Sequence, residues 1–291
     1  MNKSNSEMID TDLLIVFSDG SKRARGFHEC VSNSEYSIVF NLNKDDEIQS
    51  NFDERINCEN MRRVEMVSKV INTIEEHDGE ISIDISVLSR FEFLFLLRMA
   101  EEIGRYSDLR ILYSEPKNYT TENNGEYPIG IEKISSIPGF VNEAPLNRKV
   151  VLVLLLGFEP ARTLAIYDRI DPDETYAIIP DPPYHPEWRG RSERLNSNII
   201  NTIKSDNIYR MSSSDPEEFE KKFKSFAESV NIRKFNCRLS PLSTKPQALG
   251  LFNYWKRNKG DFSLIYCSPL GGKTLYEHSG LGKSHVLKQP S

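Results

Sequence analysis

Apolar residues along the chain recur at two spacings, short runs at strand period and longer stretches at helical period, and the two alternate. In the first half, Leu13 to Phe17 and Tyr36 to Leu42 read as strands by length and β-branched content. A polar turn, Ser18 to Ser21, follows the first of them, and the charged stretch Lys44 to Arg55 reads as a connection. Met61, Val64, Val67, Val70, Ile71 and Ile74 mark one face of a helix over residues 60–77. Ile81 to Ile85 is a strand, Ser86 to Arg90 a turn, and Phe91 to Ile103 a helix apolar on more than one side. Leu109 to Tyr113 is the next strand. Residues 117–148 are rich in Asn, Gly and Pro and carry only a short apolar stretch, Ile129 to Ile137. That composition places a domain boundary near Asn142 to Lys149.

The second half repeats the rhythm. Val150 to Leu156 is a strand, Gly157 to Pro160 a turn, Ala161 to Ile170 a helix and Tyr176 to Ile179 a strand. Pro180 to Trp188 is too proline-rich for a regular element. Helices are expected at Ser192 to Ile203 and Pro216 to Ser229, the second capped by Ser214 or Asp215. Phe235 to Leu239 is a strand, and a helix starting at Pro246 runs to Arg257. Phe262 to Cys267 closes the series, and the Gly- and Lys-rich tail from Leu270 reads as mobile. This order predicts an α/β fold of two tandem Rossmann-like units with mainly parallel sheets, residues 1–141 and 142–291.

The two halves also agree at four places in the same order. LLIVFSDGSKRAR at Leu13 matches VLVLLLGFEPAR at Val151, which pairs Arg25 with Arg162. YSIVF at Tyr36 matches YAIIP at Tyr176, and Ser86-Val-Leu-Ser89 matches Ser240-Pro-Leu-Ser243. Leu112-Tyr-Ser-Glu-Pro116 matches Ile265-Tyr-Cys-Ser-Pro269. Four matches, each at a strand end, indicate an internal duplication. Ligands of open parallel sheets bind beyond the carboxyl ends of the strands. If the halves pair about a pseudo-twofold axis, their turns face one cleft. The first half would contribute Ser18, Asp19, Ser86, Ser89 and Arg90. The second would contribute Gly157, Glu159, Arg162, Ser243, Thr244, Lys245 and Gln247, with Asp181 and Tyr184 from the proline-rich turn.

Composition narrows the classes. The 291 residues are 38% hydrophobic and 27% charged, as in a globular chain, and the longest apolar run is far too short for a membrane span. The formal charge of −6 argues against binding of long nucleic acid. Four scattered cysteines without a C-x-x-C pair, and an N-terminus without a signal pattern, lead to the expectation of a reducing cytoplasm. The five histidines show no metal-ligand spacing, and no motif calls for a cofactor. Gly271-Gly-Lys273 and Gly280-Leu-Gly-Lys283 suit a phosphate but lack the helix that a P-loop feeds.

Hydroxyls and a lysine at a helix N-terminus, Ser243 to Lys245, suit an anion, because backbone N–H groups there are free and the dipole favours negative charge. A first strand with a polar turn, then a strand ending in Leu242-Ser-Thr-Lys245 and running into a helix, resembles the CARF domain. CARF and the related SAVED domains are Rossmann-like sensors of cyclic oligonucleotides in prokaryotic antiviral systems, and SAVED domains look like two CARF units fused in one chain. The resemblance implies that Ser243, Thr244 and Lys245 contact a phosphate or ribose and that the turn at Gly157 lines the same pocket. It further implies a nucleotide or cyclic-oligonucleotide ligand and a protein effector as partner. Family members commonly carry a Gly-Gly-Thr-Lys type turn, whereas this chain has no glycines there and reads Leu88-Ser-Arg90 in its first half. Asp181-Pro-Pro-Tyr184 separately looks like the catalytic turn of amino-methyltransferases, but the Gly-x-Gly turn such enzymes need is missing. Three functions therefore stand in order: a sensor, a metal-independent phosphodiesterase that cleaves the ligand, and a structural subunit. The sensor ranks first because no general base stands near the Ser243 turn.

Overall fold

Leu13 to Val16 and Val151 to Val153 expose no surface at all, as expected of strands covered on both faces of a parallel sheet. Each lies near the middle of a six-stranded sheet in a computed structural model that describes residues 10–43, 51–120, 130–142, 144–145, 147–270 and 277–287. In chain order the first strands and helices are β1 (Thr11–Ser18), β2 (Ser34–Asn41), β3 (Glu54–Asn57), α1 (Arg63–Glu76), β4 (Ile81–Asp84), α2 (Arg90–Glu102) and β5 (Leu109–Thr120). Then come β6 (Ile131–Ser136), β7 (Val150–Leu155), α3 (Pro160–Ile170), β8 (Glu174–Pro180), α4 (Arg191–Leu195), α5 (Ser197–Ile200) and β9 (Ile208–Met211). The last are α6 (Pro216–Val230), β10 (Asn236–Pro241), α7 (Lys245–Arg257), β11 (Ser263–Pro269) and β12 (Glu277–Leu287).

One sheet has the order β12-β5-β4-β1-β2-β3 and the other β6-β11-β10-β7-β8-β9. In both, five strands are parallel and the sixth, β12 or β6, adds antiparallel to one edge. The same α/β connectivity therefore occurs twice, as the sequence predicts. The chain moves from the first strand outward through two neighbours, then crosses back to the other side of that first strand. This reversal creates a topological switch point between β1 and β4 in one unit and between β7 and β10 in the other.

The units are not contiguous in sequence. Strands β1 to β5 cluster with β12, and β6 to β11 form the second unit. A division between residues 141 and 142 would put β6 with the first sheet and β12 with the second, the reverse of their hydrogen bonding. The tail expected to be mobile instead contains β12, and Gly280 to Lys283 lie inside it. Residues 271–273 fall outside the described residues. Both edge strands were hidden for the same reason: β6 is largely exposed and β12 is polar, so backbone pairing rather than an apolar face fixes them. Two further edge strands, β3 and β9, are only four residues each and have one or no buried position before the last.

The helices follow their local signals. In α2, Ser89 and Glu92 form a reciprocal capping box, and Phe93, Leu94, Leu96 and Leu97 are buried. Asp215 caps α6 by accepting from the Glu217 and Glu218 amides, and Asn231, at φ 55°, ends it. Phe219, Phe223 and Phe226 line the buried face of α6, and Phe223 meets Tyr254 of α7 edge-on at 4.9 Å. Helix α7 is buried from Lys245 through Trp255, and a Cβ at Gly250 would collide with the Pro216 carbonyl oxygen. Among the described residues no helix is long and apolar enough to cross a membrane.

Candidate functional site

In the second unit, Leu155 of β7 stands opposite Pro241 of β10, so the turns that follow these strands start side by side at the switch point. The approach is close enough to require glycine: a Cβ on Gly157 would collide with the Leu242 carbonyl oxygen. Thr244 caps α7, which begins at Lys245, one residue before the proline expected to start it. The Thr244 hydroxyl donates to the Ser213 carbonyl at 2.6 Å and accepts from the Gln247 amide at 3.3 Å. Ser243 and Lys245 are both buried, the lysine 7% exposed, at the first turn of a 13-residue helix. A lysine buried to this extent is uncommon in proteins.

The other residues of the predicted site brace the fold. Gln247 is fully buried, and its side-chain amide donates to the Met211 and Ser212 carbonyls at 3.1 and 3.0 Å, tying α7 to the end of β9. Arg162 is 2% exposed; Nη1 donates to Glu159 Oε2 at 2.6 Å and Nε to the Cys267 carbonyl at 2.7 Å. Its guanidinium lies 4.8 Å over the Tyr266 ring. Burial opposes the Arg162 charge, but Tyr266 and Glu159 outweigh it and push its pKa further up. Glu159 Oε1 and Gln247 Oε1 are buried with no hydrogen-bond partner among the described residues.

The proline-rich turn after β8 forms the rim beside this switch point. The Asp181 amide donates to the Met211 carbonyl at 2.9 Å and the Ser213 amide to the Pro182 carbonyl at 3.2 Å, which fix its start. Tyr184 is partly exposed, as are His185, Trp188, Arg191 and Phe158. Trp188 meets His185 edge-on at 4.3 Å and Phe158 at 5.8 Å, and the Arg191 guanidinium sits 4.7 Å over the Phe158 ring. Arg189 lies 3.9 Å from Asp181, a loose exposed pair. Asn196, between α4 and α5, donates to the Gly157 carbonyl at 2.9 Å and so braces the same turn from below. Phe158, Arg191 and Asn196 were missed from sequence. The alternation Tyr184-His-Pro-Glu-Trp-Arg-Gly-Arg191, which interleaves aromatic and basic side chains, was the available signal for Arg191.

In the first unit, the counterpart turn is closed by its own hydrogen bonds. Ser86 is fully buried; its amide and hydroxyl both donate to Asp84 Oδ1, the amide at 2.9 Å, and its hydroxyl accepts from the Ser114 amide at 2.8 Å. Ser89 is the α2 cap, and Arg90, partly exposed, is the first residue of that helix. Asp19 folds onto its own turn, accepting from the Ser21 amide at 3.0 Å. The duplicated arginine is corrected by the geometry. Arg23, not Arg25, is buried; its Nε donates to the Ser114 carbonyl at 2.7 Å, and it lies 5.2 Å over the Tyr113 ring. These are the partners Arg162 finds in Cys267 and Tyr266, while Arg25 is exposed.

At the opposite, amino-terminal edge of the second sheet lies a polar cavity of about 380 Å³ lined by Asn142, Ala144, Arg233, Arg257, Asn258, Lys259, Gly260 and Asp261. Its only carboxylate, Asp261, is already held by Arg233 Nε and the Tyr254 hydroxyl, both at 2.7 Å, so it reads as a braced corner. Among the described residues no group of three or more His, Cys, Asp or Glu side chains could hold a metal ion. No protein-family model matches the chain, and no curated protein matches it.

Proposed function

We propose that the chain is a ligand sensor of CARF/SAVED type, which binds a nucleotide or cyclic oligonucleotide at the carboxyl edge of its second sheet and signals to a protein effector of a prokaryotic antiviral system. The observation that carries this reading is the second switch point. There Gly157 lies against the Leu242 carbonyl, and the Ser243–Lys245 turn opens a long helix with a buried lysine. Pro246 has no N–H and Thr244 takes the Gln247 and Ala248 amides, so the anion preference of this start rests on the α7 dipole and on the Lys245 side chain beside it. Phosphate is the ligand group that matches such a turn. Signalling then requires only that the ligand bind two conformations of the chain with different affinity. A sensor reading also accommodates the brace residues: Gln247, Thr244 and Arg162 connect the switch point to β9 and β11, whose displacement would be felt across the unit.

The test is a thermal-shift panel of 5′-mononucleotides and cyclic di- and trinucleotides, followed by chromatography of each nucleotide after incubation. At least one is expected to raise the melting temperature and to be recovered intact. A linearised or hydrolysed product would instead make the chain a phosphodiesterase. Lys245→Met, which keeps the buried stem and removes the charge, is expected to weaken that binding by roughly tenfold or more. If no nucleotide raises the melting temperature, the ligand reading falls, and a structural subunit becomes the better description.

A further inference from the structure

We propose that Phe158, His185 and Trp188 form a stacking wall for the base of the nucleotide whose phosphate the Ser243–Lys245 turn takes, with Arg189 and Arg191 flanking the wall. The proposal rests on the nucleotide reading above and names the part of the ligand that this rim takes. Its first support is the state of the rings. The chain has two tryptophans, and Trp255 is 3% exposed in the core, whereas Trp188 keeps exposed surface on a turn. Phe158 and His185 hold Trp188 edge-on at 5.8 and 4.3 Å, which fixes the orientation of the indole before any ligand arrives. Rigid aromatic side chains left at a surface concentrate binding energy, because little rotamer entropy is lost when they are covered.

The second support is charge. Between Asp181 and Arg194 the turn balances Arg189, Arg191 and Arg194 against Asp181, Glu187 and Glu193, and Glu193 is paired with Arg210. Arg191 lies over the Phe158 ring, and the Arg189 guanidinium lies 3.9 Å from Asp181. Aromatic faces interleaved with arginines are the arrangement that binds unpaired bases, whose π-faces stack whatever their identity while the backbone meets the cations. The third support is position. Phe158 directly follows Gly157, so the wall continues from the switch-point turn, and the Asp181 and Ser213 amide hydrogen bonds anchor the segment that carries Trp188.

Tryptophan fluorescence provides the test, because only Trp188 of the two tryptophans stands at the rim. A nucleotide that raises the melting temperature is expected to quench the wild-type emission. Trp188→Phe is expected to keep the affinity and lose the quenching. Trp188→Ala is expected to bind that nucleotide roughly tenfold more weakly, the loss of one base–aromatic stack, while its affinity for ribose 5-phosphate is unchanged. If Trp188→Ala binds the nucleotide as tightly as wild type, or loses ribose 5-phosphate equally, the wall is not a base subsite and the nucleotide reading survives. If no nucleotide raises the melting temperature of wild type, the nucleotide reading itself falls and the wall falls with it.

Discussion

The two units anchor the ends of their sheets in the same way and use their switch points differently. In each, a buried arginine donates to the carbonyl of the residue after a tyrosine and lies over that tyrosine's ring, Arg23 on Ser114 and Tyr113, Arg162 on Cys267 and Tyr266. The first unit supplies its arginine from a 3₁₀ turn, Lys22–Arg25, and the second from an α-helix with a buried glutamate beside it. Beyond the anchor they diverge. The first switch point spends Asp84, Ser86 and Ser114 on one another, while the second sets a glycine, a buried lysine and an aromatic rim there. A repeated fold can thus keep its frame in both copies while the turns at its two switch points diverge.

Removing the anchor tests the shared part, and the effect is expected to be unequal. Arg162→Ala strands the buried Glu159 carboxylate as well as the Cys267 carbonyl, a loss of about 3–5 kcal/mol. Arg23→Ala gives up the Ser114 hydrogen bond and the Tyr113 contact, about 1–3 kcal/mol. Urea unfolding, with hydrogen exchange to assign each loss to its unit, measures both. Adding Glu159→Gln to Arg162→Ala should restore part of the stability. Equal losses for the two single variants would remove Glu159 from the explanation.

Two glycines give a smaller contrast. A methyl at Gly157 meets backbone, the Leu242 carbonyl, whereas a methyl at Gly26 meets the Ser114 hydroxyl and the Leu281 side chain. Gly157→Ala is therefore expected to cost about 1–3 kcal/mol, and Gly26→Ala somewhat less, because the Ser114 hydroxyl and the Leu281 side chain can turn away, leaving only a small shift at the Ser114 Cβ, whereas the Leu242 backbone cannot. The caps give a smaller contrast still. Thr244→Ala loses the helix cap and the bond to the Ser213 carbonyl, and Ser89→Ala loses the capping box, each about 1 kcal/mol with Thr244 the larger. Melting temperatures that rank these four variants otherwise would mean that the switch-point turns are not held by the contacts described.

The central strands and the long helices were legible in sequence because each buries an apolar set at a fixed period, as Val150–Leu155 and the three phenylalanines of α6 show. The edges were not, since β3, β6, β9 and β12 are fixed by backbone hydrogen bonds that any residue can make. For the same reason the exchange of β6 and β12 between units left no trace in composition. At the switch points, residue type indicated which turns matter but could not separate bracing from binding. Arg162 is a cation near a strand end, and only hydrogen-bond geometry shows it to be committed to Glu159 and Cys267. Arg25 was matched to Arg162 because a sequence overlay counts positions, whereas a 3₁₀ turn and an α-helix advance the chain differently.

The matched tyrosines Tyr36 and Tyr176 permit the finest comparison. Burial, reinforced by Glu174, pushes the Tyr176 phenol up to about 12. Tyr36, partly exposed and stacked on His77 at 5.3 Å, is raised by burial and by Glu54 and Asp53. A phenol whose folded pKa is raised holds its proton more tightly when folded than when unfolded. Its contribution to stability is therefore complete below the unfolded value near 10 and is lost as pH rises through the folded value. Tyr176→Phe removes the ionisable group and is expected to flatten the fall in stability between about pH 10 and pH 12, with little change in pH dependence at neutrality. Tyr36→Phe, at a more exposed site, is expected to flatten it less. Urea unfolding repeated across that range reads both slopes, with the buried Cys237 thiol, pushed up to about 12, contributing equally to every variant. If the two tyrosine variants change the slope by the same amount, the second unit does not desolvate its copy of this strand more than the first.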